Sequence, residues 1–129
     1  MKRIILLALT ILLVACESAE IERTLFDLKD TQIGDASNVG AVLRYVDGGT
    51  FQLHTTQAPY GLTVAYDQLT KEQVFENAVI IFTLIPNADW VVFEIDGEEI
   101  HVTRAEVMEV LGRTLDFESE DEMRSYLGP

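Results

Sequence analysis

"VFENAVIIFTLI" occupies residues 74–85, and whether it forms a helix or a strand decides the fold. Wound as a helix, it puts Val74, Ala78, Ile81 and Ile85 on one line, which Phe75, Val79 and Phe82 widen. The run Val79-Ile80-Ile81 would also suit a buried strand. Length arbitrates between the two. Fifteen residues lie between Thr70 and Pro86, longer than a typical buried strand and right for a core helix closed by proline. The same length is too short for a membrane span, which takes about 20 apolar residues. The start is marked as well. Thr70-Lys71-Glu72-Gln73 has the form of a capping box, in which the threonine hydroxyl accepts from the Gln73 amide and the glutamine side chain reaches back.

Strand signals flank this helix. In "TFQLHTT" (50–56), Phe51, Leu53 and Thr55 alternate with Gln52, His54 and Thr56, the pattern of a half-buried strand. "GLTVAYDQ" (61–68) alternates again, with Leu62, Val64 and Tyr66 inward, and "QAPYG" between the two suits a hairpin. In "WVVFEIDGEEIHVT" (90–103), Asp96-Gly97 marks a two-residue turn, because a type I′ turn needs positive φ at both central positions. Ile100 and Val102 then face one way, and Glu99, His101 and Thr103 the other. Before the strands, "IGDASNVGAVLRYVDGG" (33–49) reads as a helix capped by Asp35 or Ser37, with Val39, Val42, Leu43 and Val46 on a stripe. After them, Thr103–Glu106 opens a helix bearing Val107, Val110 and Leu111 and stopped near Gly112. Ser119–Glu122 opens a last one carrying Met123 and Leu127. The expected order is α-β-β-α-β-β-α-α. That is a single α+β domain, with an antiparallel sheet of about four strands in two hairpins and helices on one side.

The N-terminus carries a different kind of signal. Met1-Lys2-Arg3 precedes an apolar run, residues 4–15, in which only Thr10 is polar. A basic start, a short apolar run and a small residue before the cut describe a secretory signal. Leu13-Val14-Ala15-Cys16 resembles the lipobox of bacterial lipoprotein signals, in which cleavage precedes a cysteine that is alkylated with diacylglycerol. Two acyl chains anchor stably where one binds only reversibly. The expected division is a lipoprotein signal peptide at 1–15, a lipidated Cys16 with a charged tether to residue 24, and one domain at 25–129. Cys16 is the sole cysteine, so no disulfide staples the domain. Its fold must rest on its core.

Cleavage before Cys16 leaves 114 residues with 7 basic and 22 acidic side chains, a net charge of −15. Such a balance excludes nucleic acid and anionic headgroups as partners, since both require basic patches. It permits a cationic one.

Catalytic chemistry finds little to stand on. His54 and His101 fall on outward strand faces; with Glu99 they would make three metal ligands only if their strands were neighbours. No HExxH or CxxC spacing is present. "EIDGEE" (94–99) does not match a calcium loop, and Ser37, Ser119 and Ser125 sit at caps or on a helix rather than in a nucleophile turn. Trp90 and Tyr60 are candidates for a recognition surface, but Trp90 opens a buried strand, and core or rim packing is the preferred role. The expectation is a chain without a catalytic constellation, metal or cofactor. The rival is an envelope hydrolase or metal-dependent enzyme using His54, His101 and nearby acids.

Several stretches together carry a family resemblance: "IGDASNVGAVL", "FQLHTTQAPYGLTVAY", "NAVIIFTLIPNADWVVFEIDGEEIHVT" and "TRAEVMEVLGRTL". They resemble the bacterial family called domain of unknown function 4825. Gly34-Asp35, Pro59-Tyr60-Gly61-Leu62, Asn77-Ala78, Leu84-Ile85 and Asn87 are its most recognisable pieces. Pro86 and the pair Gln32-Ile33 depart from the family pattern. The resemblance implies a small extracytoplasmic lipoprotein acting as an accessory or sensory module, and it transfers no catalytic or binding residue. The expected location is the outer face of the cell membrane, with an envelope protein as partner. The loop at Pro59, Tyr60 and Gly61 is the expected recognition site, because loops carry binding more often than cores do.

Overall fold

The computed structural model describes residues 25–127; the signal segment, Cys16 and the tether lie outside them. A 3₁₀ turn at Leu25–Leu28 leads into α1 (Ala36–Tyr45), β1 (Phe51–His54), β2 (Gly61–Tyr66), α2 (Lys71–Leu84), β3 (Trp90–Ile95), β4 (Glu98–Thr103), α3 (Arg104–Leu111) and α4 (Glu120–Ser125). The caps are those the sequence encodes. Asp35 accepts from the Asn38 amide, Thr70 with Gln73 and Thr103 with Glu106 form complete capping boxes, and Ser119 accepts from the Glu122 amide. Gly112 ends α3 in the left-handed conformation, φ 73°.

The four strands form one sheet in the order β1-β2-β3-β4. Both hairpins are antiparallel as expected. The central pair is not: β2 and β3 run parallel, in register from Gly61↔Trp90 to Tyr66↔Ile95. The helix between them explains this. Fourteen residues of α2 rise about 21 Å at 1.5 Å each. That offsets the roughly 20 Å travelled by the six residues of β2 at about 3.3 Å each. The chain therefore re-enters the sheet where β2 began, and the sheet is mixed.

Leu62, Val64 and Tyr66 on β2, with Val91 and Phe93 on β3, are buried on the inner face. They share a single hydrophobic cluster with Val39, Val42 and Leu43 of α1 and with half of α2. From Ala78 to Leu84 every α2 residue is buried, so the second half of this helix is enclosed on all sides. The C-terminal segment adds Leu115, Phe117 and Met123 to the cluster. Val110, assigned to the apolar stripe of α3 from its spacing, is instead 73% exposed, because the short α3 packs only through Val107 and its neighbours Met108 and Leu111.

Arg104 closes the far end of α2. Its guanidinium donates to the carbonyls of Phe82, Ile85 and Ala88 at 2.8–3.0 Å and lies over the Phe82 ring. The Leu84 carbonyl accepts from the Thr31 amide. Carbonyls left open by a helix end are thus satisfied. Burial lowers the Arg104 pKa, with Asp89 opposing.

Tyr66 ties the end of α1 to the middle of α2. Its hydroxyl donates to the Val46 carbonyl at 2.9 Å, and Asn77 approaches both. Burial is the main cause that pushes its pKa up to about 12, while the Asn77 hydrogen bond lowers it and Asp47 raises it. The neutral form is therefore favoured in the fold. The stability Tyr66 contributes is intact below pH 10, the unfolded value, and is lost as pH climbs towards 12. That loss is expected to be roughly 2 kcal/mol, read from urea unfolding at stepped pH. Tyr66→Phe should flatten this part of the profile; an unchanged slope would contradict the assignment.

Candidate functional site

Period-two alternation sends every second strand residue to the face opposite the helices. There Gln52 and His54 of β1, Gly61, Thr63 and Ala65 of β2, Trp90, Val92 and Glu94 of β3, and Glu99, His101 and Thr103 of β4 form three rows. None of them belongs to the core cluster. Val92 and Gly61 are buried, and the face is otherwise half-buried or exposed.

Trp90 dominates one end of it. The indole leans across β2 onto the backbone of Gly61, where a Cβ would stand 2.1 Å from Cδ2, 2.3 Å from Cε2 and 2.6 Å from the Trp90 carbonyl oxygen. Glycine is the one residue that admits this approach. The indole Nε1 donates to the Pro59 carbonyl at 2.9 Å, and the Asp89 amide donates to the Tyr60 carbonyl at 2.7 Å. The loop singled out from sequence, Pro59-Tyr60-Gly61, is thus the cradle of Trp90. The Ala58–Pro59 peptide is cis.

The two histidines flank the indole. His54 stands 5.1 Å from it, centroid to centroid, and His101 5.9 Å at an interplanar angle of 27°. The His54 Nε2 also lies 3.1 Å from the Thr63 hydroxyl. His54 and His101 do share a face, but β1 and β4 are the two edges of the sheet rather than neighbours, and Trp90 fills the space between the imidazoles. Among the described residues no group of three or more His, Cys, Asp or Glu comes together to hold a metal. What the arrangement offers chemically is an aromatic shelf with its polar edge already hydrogen-bonded, set in a polar sheet face.

Residues 25–103 match the model of a family described as a domain of unknown function, DUF4825. The chain belongs to the DUF4825 family. The match runs from the 3₁₀ turn through β4 and so takes in all four strands, the Trp90 shelf and its cradle; α3 and α4 follow it. No curated protein and no solved structure matches the chain. No helix among the described residues is long and apolar enough to cross a membrane. In this DUF4825 chain, Leu13, Val14, Ala15 and Cys16 lie outside the described residues.

The sequence reading prefers core or rim for Trp90, and the structure places it half-buried on the outer face. Its outward place was available from alternation, since Trp90 and Glu94 share a parity opposite to Val91 and Phe93. Its partner Gly61 was not, because a parallel register is a tertiary property. Gly61→Ala is expected to displace the indole at a cost of about 1–3 kcal/mol. The chain should melt earlier, with a red-shifted Trp90 emission. Unaltered emission would show that the indole does not rest on Gly61.

Proposed function

We propose that this chain is a lipid-anchored extracytoplasmic protein of the bacterial cell envelope. In this reading Cys16 carries the lipid after cleavage behind Leu13-Val14-Ala15, and residues 17–24 tether the domain. The domain is a non-catalytic binding, sensory or accessory module, and its binding face is the outer sheet face around Trp90, rimmed by Pro59, Tyr60 and Gly61.

The observation that carries the reading is the Trp90 shelf itself. A large aromatic side chain is placed on a half-exposed face and given a glycine and a carbonyl to lie against, an arrangement that adds nothing to the core on the opposite face. Aromatic side chains fixed in this way offer large contact area at low entropic cost, which suits recognition. The lipobox resemblance supports the compartment. The acid excess supports a domain held away from the anionic membrane surface by like charge.

Membrane fractionation tests the anchor. The wild-type chain should partition with membranes, and its N-terminal peptide should carry the mass of an acylated cysteine. Cys16→Ser should release the protein or leave its leader uncut. Equal membrane retention of both chains would refute lipidation.

A further inference from the structure

The outer face has an aromatic end and an acidic end. Glu94 and Glu99 stand directly opposite each other in the β3–β4 register, a like-charge placement that destabilises a sheet. Neither takes part in the ion pairs found among the described residues, which join Arg113 to Asp116 and Glu122 and Arg124 to Glu120. The four strands contain no lysine or arginine at all. Beside Glu94, small side chains at Thr63 and Ala65 leave a depression of about 250 Å³ that Gln52 and Phe51 also border. Trp90 lies four residues from Glu94 along β3, about 13 Å away.

We infer that the partner of this face is a basic peptide segment, lying extended along β2 and β3, that seats one Lys or Arg in the depression bordered by Glu94, which Glu99 backs from β4, and a second over the Trp90 indole. This rests on the outer face being the binding face, as proposed above. The acid pair and the indole both find their complement in such a segment. A cation near the opposed carboxylates relieves their repulsion, and a cation over an indole is attracted by the ring quadrupole. In an extended chain, residues four apart repeat the same 13 Å or so. Charge also sets aside other occupants. A second copy would bring the same acidic face. Residues 17–24 of the chain itself carry three glutamates against one arginine.

Trp90 is the sole tryptophan, so its emission reports on the site directly. The full chain in mild detergent is titrated with an octapeptide of alanine and serine bearing arginine at positions 2 and 6. Glutamate at those positions and chitotetraose serve as comparison probes. The arginine peptide should shift Trp90 emission saturably. The double variant Glu94→Gln/Glu99→Gln should weaken binding at least about tenfold, while Glu109→Gln/Glu118→Gln, equal in charge removed, changes it less than about twofold. The first variant should also melt no lower than wild type, since it removes a repulsion.

Equal weakening by both variants would overturn the inference, as would preference for chitotetraose or no response to the arginine peptide. A photo-crosslinker at Gln52 in cells separates this failure from that of the underlying reading. A specific adduct without any arginine-peptide response leaves the face a binding surface and overturns only the cationic class. No adduct from Gln52 overturns the binding face itself.

Discussion

The outer face of the sheet is organised by one close approach, the indole of Trp90 lying on the backbone of Gly61. It needs a residue without a Cβ at position 61. It needs β2 and β3 side by side and parallel, with Gly61 facing Trp90. It also needs the chain to leave α2 at the right point, and Arg104 fixes that exit by gathering the carbonyls of Phe82, Ile85 and Ala88. These requirements are supplied from four separate parts of the chain, so the position of one aromatic ring records the correctness of the whole fold. Cooperative placement of this kind is what gives a folded domain a single well-defined surface.

Much of this architecture is written locally. Thr70 and Thr103 announce helix starts through side chains that bond amides three residues on, and Gly112 permits the left-handed turn that stops α3. Asp96-Gly97 sets the second hairpin because both residues adopt positive φ. The helix over 71–84 was legible from its length and its cap. The direction of β3 relative to β2 was not. Hairpin signals describe neighbours in sequence, whereas that pairing is decided by how far α2 carries the chain back across the sheet. Val110 misled for a related reason: its spacing fits an apolar stripe, yet a helix of eight residues presents too little face to bury every member of one.

At the site, the loop Pro59-Tyr60-Gly61 and the two histidines were visible as unusual residues, and their meaning came only from the sheet order. A metal reading required His54 and His101 to converge. The strands bearing them stand at opposite edges, and the indole takes the ground between. The loop in turn does its part largely through backbone atoms: two carbonyls hold the Trp90 and Asp89 donors, and a glycine gives the ring somewhere to rest. Residue type alone carries little trace of backbone roles. The functional reading follows from this geometry together with the uneven charge of the face, aromatic at one end and acidic at the other. The inner face carries the core, and the outer one carries the proposed recognition surface.

The central claim is a preformed Trp90 shelf, and the most direct measurement is proton NMR of the chain without any added partner. The Gly61 α-protons should be moved strongly upfield by the indole ring current and should show cross-relaxation to the aromatic protons of Trp90. Gly61 α-protons at ordinary glycine positions, with no such cross-peaks, would contradict the account.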